Sequence, residues 1–258
     1  ICDSRHHRHL YVPLPFWFTL HSGQALALAS LQFHGVRVDV NWADLRSCIV
    51  VSGPGVGVKH VGHGTSLQPS HLKADLQITY IYLDNAERER FATNAYEVLL
   101  SQHQYASFPS QHNGNHVKCA LNFNHPVMEI MWAVRRRCQE QANNWFNFSG
   151  VDNRDPVKKA VLHLNNQVRF AHPGEYFRLV QPYQHHSNIP DAYIYVFSFA
   201  LHPEDPSPSG SCNMSRIDHV DLTLHLQHGL GPCSVLVYAK NWNVLRFREG
   251  LAGHAFAN

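Results

Sequence analysis

Three polar residues near the C-terminal end of the chain could bind a metal ion. His219 and Asp221 flank Val220, so in an extended strand their side chains lie on one face, and His254 follows downstream. Two histidines and one carboxylate form the ligand set of non-heme iron oxygenases. The alternative is that His219, Asp221, Thr223 and His225 are the solvent or interface face of an amphipathic strand, which period-two alternation predicts without a metal. We favour this second interpretation.

Other chemistry-bearing groups are weaker candidates. His6, His7 and His9 lie together, as do His60 and His63, but neither group has a Cys, Asp or Glu at ligand spacing. The glycine-rich stretch 53–57 has no following Gly-Lys-Ser/Thr, so we predict a flexible connection rather than a phosphate loop. The sequence therefore predicts no catalytic, cofactor-binding or metal site and no enzymatic activity.

Four aromatic residues alternate along one predicted strand: Tyr193, Tyr195, Phe197 and Phe199. An exposed row of this kind could stack against sugars or nucleic-acid bases, and stacking against sugars would suggest a carbohydrate-binding domain. The same row is more typical of a protein core, because the neighbouring residues Ile194 and Val196 are also apolar. The basic residues 135–137 and 158–159 are predicted to be solvated loops, with contacts to acidic neighbours as the alternative.

Composition limits the classes of function. The chain has 258 residues, of which 44% are hydrophobic, enough to build a proper core. Lys and Arg number 21 against 19 Asp and Glu, a balance too weak for wrapping nucleic acid. Six scattered cysteines show no metal-binding spacing, so free thiols are expected. No apolar run is long enough to span a membrane. The chain lacks an initiating Met, and we expect it to be part of a longer protein.

The elements that must position these residues are mostly strands. Gly and Pro clusters separate strand-like segments at about 25–40, 75–83, 117–123, 127–135, 159–164, 192–201, 218–226 and 234–248. One helix is predicted after Asp84, with Glu87 as its capping partner and an apolar face that extends to Leu99. A helical turn is expected after Pro173. This pattern predicts an all-β jelly-roll sandwich with one or two short helices in its loops.

Several blocks of the sequence resemble the major capsid protein family of large icosahedral nucleocytoplasmic DNA viruses. The blocks occur in the order of that family: residues 10–18, 25–34, 80–92, 123–132 and 206–258. The first two resemble the end of the family's first jelly-roll, and the others resemble its second. Residues 123–218 are most similar to the African swine fever virus and faustovirus branch.

The resemblance implies the last strands of one jelly-roll at residues 1–43 and a complete second jelly-roll at 44–258. It further implies a structural coat protein whose homotrimers form pseudo-hexameric capsomers and contact neighbouring capsomers and minor capsid proteins. Neither direct nucleic-acid binding nor membrane insertion is expected. The location would be the virion capsid, assembled in the host cytoplasm. Residues 12–18 and 25–40 would then be strands whose partners are missing, so a chain beginning near Asp44 is expected to be more soluble.

The number of histidines suggests sensitivity to acid. Protonation of all 21 histidines would add 21 positive charges to a formal charge of +2. Because an ordinary histidine titrates near pH ~6.5, much of this change falls between pH 7 and 5. Repulsion between the added charges is expected to loosen assemblies of the chain in an acidic compartment.

Overall fold

Alternating apolar and polar residues between positions 96 and 248 form two antiparallel sheets that pack face to face. The computed structural model describes residues 9–48, 50–53, 56–60, 73–110 and 115–256. Its strands are β1 (Val50–Gly53), β2 (Val56–His60), β3 (Tyr96–Ser110), β4 (His116–Ala120), β5 (Pro126–Arg136), β6 (Val157–Leu164), β7 (Gln167–Pro173), β8 (Ile194–Ser198), β9 (Cys212–Asn213), β10 (Val220–Leu226), β11 (Cys233–Arg248) and β12 (Leu251–His254).

The strand order is that of a jelly-roll. One sheet has the order β4-β10-β6-β7, and the other has β8-β5-β11-β3, with β12 and β9 added beside β11 and β5. Every pair is antiparallel, and the chain crosses between the two sheets from β3 to β4 and again from β4 to β5. The predicted all-β jelly-roll is therefore confirmed.

The core lies between the two sheets and is centred on Trp132. Its ring contacts those of Phe170, Phe177 and Tyr195, at centroid distances of 6.4, 5.1 and 6.0 Å. In β10 the apolar residues are buried and the polar ones partly exposed, so the predicted alternation is confirmed. The buried apolar residues of β10 are Val220, Leu222, Leu224 and Leu226.

Short helices lie in the connections. The α-helices are α1 (Trp17–Leu20), α2 (Leu45–Cys48), α3 (Asn85–Thr93), α4 (Arg137–Gln141) and α5 (Gln181–His185). A π-helical turn covers Tyr176–Val180, and 3₁₀ turns cover Ser22–Gln24, Leu28–Ser30, Val151–Asn153 and Met214–Arg216. The helical turn predicted after Pro173 is thus confirmed. No helix among the described residues is long and apolar enough to cross a membrane.

The helix predicted after Asp84 begins as expected but ends early. The Asp84 carboxylate accepts a hydrogen bond of 2.8 Å from the backbone N–H of Glu87, so the predicted cap is confirmed. The helix ends at Thr93, and Val98 and Leu99 lie in β3 instead. Pairing along the whole length of β11 outweighs the local helical pattern in this segment.

Most of the predicted strands are present, but those near the N-terminus are not. The segments near 117–123, 127–135, 159–164, 192–201, 218–226 and 234–248 contain β4, β5, β6, β8, β10 and β11. By contrast, 12–18, 25–40 and 75–83 contain no strand. A strand needs a neighbour for its backbone hydrogen bonds, and no described strand pairs with these segments. The sequence pattern missed β1, β2, β3, β7 and the two short strands β9 and β12.

Candidate interaction surfaces

The structure does not assemble the iron site that the sequence allows. Asp221 belongs to β10 of the four-stranded sheet and His219 lies just before that strand, whereas His254 ends β12 on the six-stranded sheet. Asp221 is paired with Lys118 at 3.0 Å. Within the described part of the chain, no three His, Cys, Asp or Glu side chains are grouped so that they could hold a metal ion. The iron-oxygenase alternative is therefore not supported.

The glycine-rich candidate is only partly described. Residues 50–53 and 56–60 pair as two antiparallel strands, so the prediction of a flexible connection is wrong for Gly53, Val56 and Gly57. His6, His7 and His63 lie outside the described residues.

The aromatic row belongs to the core. Tyr195 and Phe197 are 0% and 8% exposed, and Phe199 packs against the same core cluster. Tyr193 is partly exposed, and its hydroxyl donates to the carbonyl of Asn153. A stacking platform would require exposed rings, so the carbohydrate-binding alternative is not supported and the predicted core role of the row is confirmed for Tyr195 and Phe197.

Three connections meet at one end of the barrel, which we call the loop end: residues 137–156, 174–193 and 227–232. They surround a cleft of about 590 Å³. Its lining combines basic, acidic and polar side chains: Asn153, Arg154, Asp155, Lys158, Glu175, Arg178, Tyr193, Gln227 and His228. Connections on a rigid sandwich are the usual place for contacts with partners.

The wall of this cleft is held in place from the core. Asp155 accepts hydrogen bonds from the buried Tyr195 hydroxyl and from Arg178 Nε, the latter at 2.9 Å. The guanidinium of Arg178 lies 5.3 Å from the centroid of the Tyr193 ring. Burial, reinforced by the Asp155 carboxylate, raises the pKa of Tyr195 far above its ordinary value. Tyr195 therefore stays protonated and serves as a structural donor.

The basic run at 135–137 supports the longest of these connections rather than extending into solvent. Arg135 pairs with Glu140 at 2.8 Å and lies 5.2 Å from the centroid of the Trp145 ring. Arg136 donates to the carbonyls of Leu230 and Gly150. The solvated-loop prediction is therefore wrong for Arg135 and Arg136, and the acidic neighbour of Arg135 belongs to the same chain.

Sequence reasoning missed a buried polar group on the outer face of the six-stranded sheet, which we call the Glu129 cluster: Glu129, His186, Lys240 and His103. The side chain of Glu129 is 5% exposed, and its carboxylate lies 2.8 Å from His186 Nε2 and 3.8 Å from Lys240 Nζ. Burial, followed by the charge of Lys240, lowers the pKa of His103. A glutamate between Met128 and Ile130, in the middle of an apolar strand, was the signal available in the sequence.

A second surface is apolar and lies near the N-terminus. Sequence reasoning predicted only part of it. We call it the N-terminal apolar face. It consists of large exposed side chains in two segments: Leu10, Tyr11, Val12, Leu14, Phe16, Leu20, Leu28, Phe33, Val36, Val38, Val40, Trp42, Leu76, Ile78, Tyr80, Ile81 and Tyr82. Large apolar side chains exposed in this number mark an interaction site or an aggregation hazard.

The first of these segments contacts α3 and the barrel through hydrogen bonds of Gln24, Ser30, Phe33 and His34. Ser30 is buried, and its hydroxyl donates to the carbonyl of Phe91 at 2.6 Å and lies 2.8 Å from the Tyr96 hydroxyl. The N–H of Phe33 donates to the carbonyl of Gly250 at 3.0 Å. Gly250 has φ +77°, and a Cβ there would lie 2.8 Å from the Phe33 ring, so only glycine fits both the turn and the contact.

Two of the cysteines that the structure describes, Cys119 and Cys233, are buried in the core. Cys48, Cys119, Cys138, Cys212 and Cys233 are free thiols, as predicted for these positions. Burial raises the pKa of Cys119 to about 12, with the nearby Cys233 adding to the shift. Both core thiols therefore stay protonated and unreactive at neutral pH.

Two family models match the chain. The first, described as the large eukaryotic DNA virus major capsid protein, matches residues 87–253. The second, described as the major capsid protein N-terminus, matches residues 3–84.

Viral relatives match over nearly the whole chain. The major capsid protein of Pyramimonas orientalis virus is 36% identical over 96% of this chain and 61% of its own length. That of Phaeocystis pouchetii virus is 32% identical over 96% of this chain and 65% of its own length. The chain thus spans less than two thirds of the length of these relatives.

Solved structures share the fold. A quasi-atomic model of the PBCV-1 virus capsid matches with a TM-score of 0.60 and 28% identity, over 69% of this chain and 56% of that one. The faustovirus major capsid protein matches with a TM-score of 0.54 over 65% of this chain and 36% of its own. Its identity is 12%, which shows the fold alone. Placement in the African swine fever virus and faustovirus branch therefore stays a prediction.

Proposed function

The chain belongs to the family of large eukaryotic DNA virus major capsid proteins, and from this membership we propose that it is a structural subunit of an icosahedral viral coat. The observation that carries the proposal is that the residues matched by the family model are the same residues that form the jelly-roll. The family model covers 87–253, and the strands of the jelly-roll lie between Tyr96 and Arg248. A rigid sandwich resists deformation, while its connections are free to make contacts. No catalytic step is assigned to it.

We extend the proposal to the assembly itself. Three copies form a pseudo-hexameric capsomer, which contacts neighbouring capsomers and minor capsid proteins in the virion and is assembled in the host cytoplasm. The loop end supports this, because its connections are held rigidly by Arg135, Arg136 and Asp155. The small net charge supports a coat subunit that does not bind the genome directly.

The division into two jelly-roll parts is also a proposal. Residues 1–43 are assigned to the end of the first part, and 44–258 contain the second. All strands of the two packed sheets fall within 44–258. We propose that the N-terminal apolar face is covered in the virion by a polypeptide segment that completes the first jelly-roll, since apolar side chains of this extent favour burial.

The trimer can be tested by light scattering. Permanent assemblies bury more than about 2,000 Å² of surface, so they survive dilution. The soluble fraction of the full chain at micromolar concentration is expected to show three times the mass of one chain. The same mass should persist after tenfold dilution. A particle of one chain mass at every concentration would contradict the proposed capsomer.

A further inference from the structure

The cleft at the loop end contains two cationic side chains without partners. Arg154 and Lys158 line the cleft and are exposed. Within the described ranges of the chain, neither side chain makes an ion pair or a hydrogen bond. The third cation of the lining, Arg178, is already paired with Asp155 at 2.9 Å. This pairing leaves two positive charges against the single negative charge of Glu175.

A β-bulge gives Lys158 its position at the cleft. In β6, Val157 pairs with Leu226 and Lys159 pairs with His225, so Lys158 has no opposite residue on β10. An extra residue of this kind bends the strand and redirects its side chain, and bulges are common next to binding sites. The bulge frees Lys158 from the regular alternation of the sheet, and its side chain lines the cleft.

The turn that carries Arg154 is held by side chains from the two other connections of the loop end. Gln227 Oε1 accepts from the N–H of Val151 at 2.8 Å, and Gln227 Nε2 donates to the carbonyl of Val151 at 3.2 Å. The Tyr193 hydroxyl donates to the carbonyl of Asn153. Asn153 has φ +54°, a conformation that persists in a residue with a side chain where its surroundings fix it. The main chain beside Arg154 is therefore fixed before any partner binds.

Glu175 is positioned by a close approach of two backbones. A Cβ on Gly174 would lie 2.0 Å from the carbonyl oxygen of Val157, so only glycine lets the chain pass there. Glu175 follows directly in the lining, and Arg178 is held by its 2.9 Å hydrogen bond to Asp155. Charged groups that are fixed before binding lower the free-energy cost of recognising a partner. The cleft is thus preformed.

A carboxylate matches the unpaired cations. A guanidinium such as that of Arg154 binds a carboxylate through two parallel hydrogen bonds, and the ammonium of Lys158 provides further donors. Glu175 would repel a continuous row of phosphates, so a nucleic-acid strand is a poorer occupant. The cleft volume of about 590 Å³ lies in the range of about 300–1,000 Å³ that is typical of pockets for small ligands. A short acidic segment therefore matches it better than a whole domain does.

We propose that this cleft is a docking site for a short acidic segment of a neighbouring protein, whose Asp or Glu carboxylate is bound by Arg154 and Lys158. This docking site deepens the proposed function and rests on it, because a coat subunit makes its contacts through its connections. The charges also give selectivity. A segment with Asn or Gln in place of its acidic residues would leave both cations unpaired.

Fluorescence anisotropy of a labelled peptide tests the site on the soluble fraction of the full chain. The probe is the peptide Gly-Asp-Glu-Asp-Gly, and the reference is Gly-Asn-Gln-Asn-Gly with the same label. The acidic peptide is expected to bind at least about tenfold more tightly, because hydrogen bonds between charged groups are the stronger ones. Equal affinity of the two peptides would overturn the proposal. Tighter binding of a labelled single-stranded oligonucleotide would also overturn it and indicate a nucleic-acid site.

Three variants locate the binding. Arg154→Gln and Lys158→Gln each remove an exposed, unpaired cation, so each is expected to leave thermal unfolding unchanged and to weaken acidic-peptide binding by about fivefold. Arg216→Gln removes an exposed cation from the turn before β10, at the opposite end of that strand from Gln227, and should bind like the wild type. Wild-type affinity in both cleft variants would assign the binding to another surface and overturn the proposal.

Peptide binding needs no assembled shell, so its outcome is separate from that of the coat function. A chain that is found in mature particles but does not bind the acidic peptide would overturn the docking site alone. A chain that binds the peptide with the expected selectivity but is absent from mature particles would support the cleft and overturn the coat function alone.

Discussion

Trp132→Ala is expected to remove a large part of the stability of the jelly-roll. Trp132 is 1% exposed and contacts aromatic rings from both sheets and from the π-helical turn. Truncation of a buried Trp to Ala costs about 3–5 kcal/mol, against a total free energy of unfolding of about 5–15 kcal/mol for a typical domain. Urea unfolding followed by tryptophan fluorescence and circular dichroism measures the loss.

Phe146→Ala is the matched control for this experiment. Phe146 is 87% exposed, so its truncation is expected to change the free energy of unfolding by less than about 0.5 kcal/mol. A Trp132→Ala protein that loses less than about 1 kcal/mol would show that the ring does not lie at the centre of the core.

A chain of residues 84–256 is expected to be several-fold more soluble than the full chain and to unfold in one cooperative transition. It keeps both packed sheets and the Asp84 cap but lacks the N-terminal apolar face. The sequence alone suggests a start near Asp44. Because Leu76, Ile78 and Tyr82 are also exposed, a start at Asp84 is preferred. Soluble yield and differential scanning calorimetry of the two chains give the comparison.

A substituted full-length chain separates the effect of the apolar face from the effect of length. Changing Ile78, Tyr80 and Tyr82 to Ser leaves the length unaltered and is expected to recover part of the soluble yield, since their side chains are 57%, 57% and 92% exposed. A full chain that is monodisperse, and no less soluble than residues 84–256, would contradict an uncovered apolar face.

The difference between β10 and β3 shows which strands a sequence pattern can predict. In β10, four apolar residues alternate with polar ones, and the alternation matches the burial of each side chain. The sequence of β3 carries Gln102, His103 and Gln104 in its centre, so no apolar alternation marks it. The extended conformation of β3 depends on its pairing with β11, about 140 residues away, in which Tyr105 lies opposite Tyr238. The residues of β3 alone do not indicate that a distant strand will pair with them.

Residues 25–40 show the opposite error, a strand that the sequence pattern predicts and the structure does not contain. Leu26, Leu28, Leu31 and Val36 give an apolar pattern, yet the structure has one 3₁₀ turn, Leu28–Ser30, and open chain there. Hydrophobic alternation indicates what a segment would do beside a partner strand, and no described residue supplies that partner. A family model of the major capsid protein N-terminus matches this region, whereas the strand prediction needed the neighbouring strands as well.

The Glu129 cluster could not be predicted from spacing. Glu129 and His186 are 57 positions apart and meet only because the β7–β8 connection folds back over the sheet. The candidates with suggestive spacing, His219, Asp221 and His254, are separated by the two-sheet topology. A charged residue in an apolar strand predicts a buried partner but does not identify it.

Mass spectrometry of purified virus particles tests the coat assignment most directly. A structural subunit of the shell is expected among the most abundant proteins of the mature particle, with peptides from the jelly-roll region 96–248 recovered in proportion to the shell. Limited disruption that releases the genome should leave these peptides with the shell fraction. Their absence from mature particles, with the protein found only in extracts of infected cells, would contradict a coat subunit and indicate a transient assembly factor.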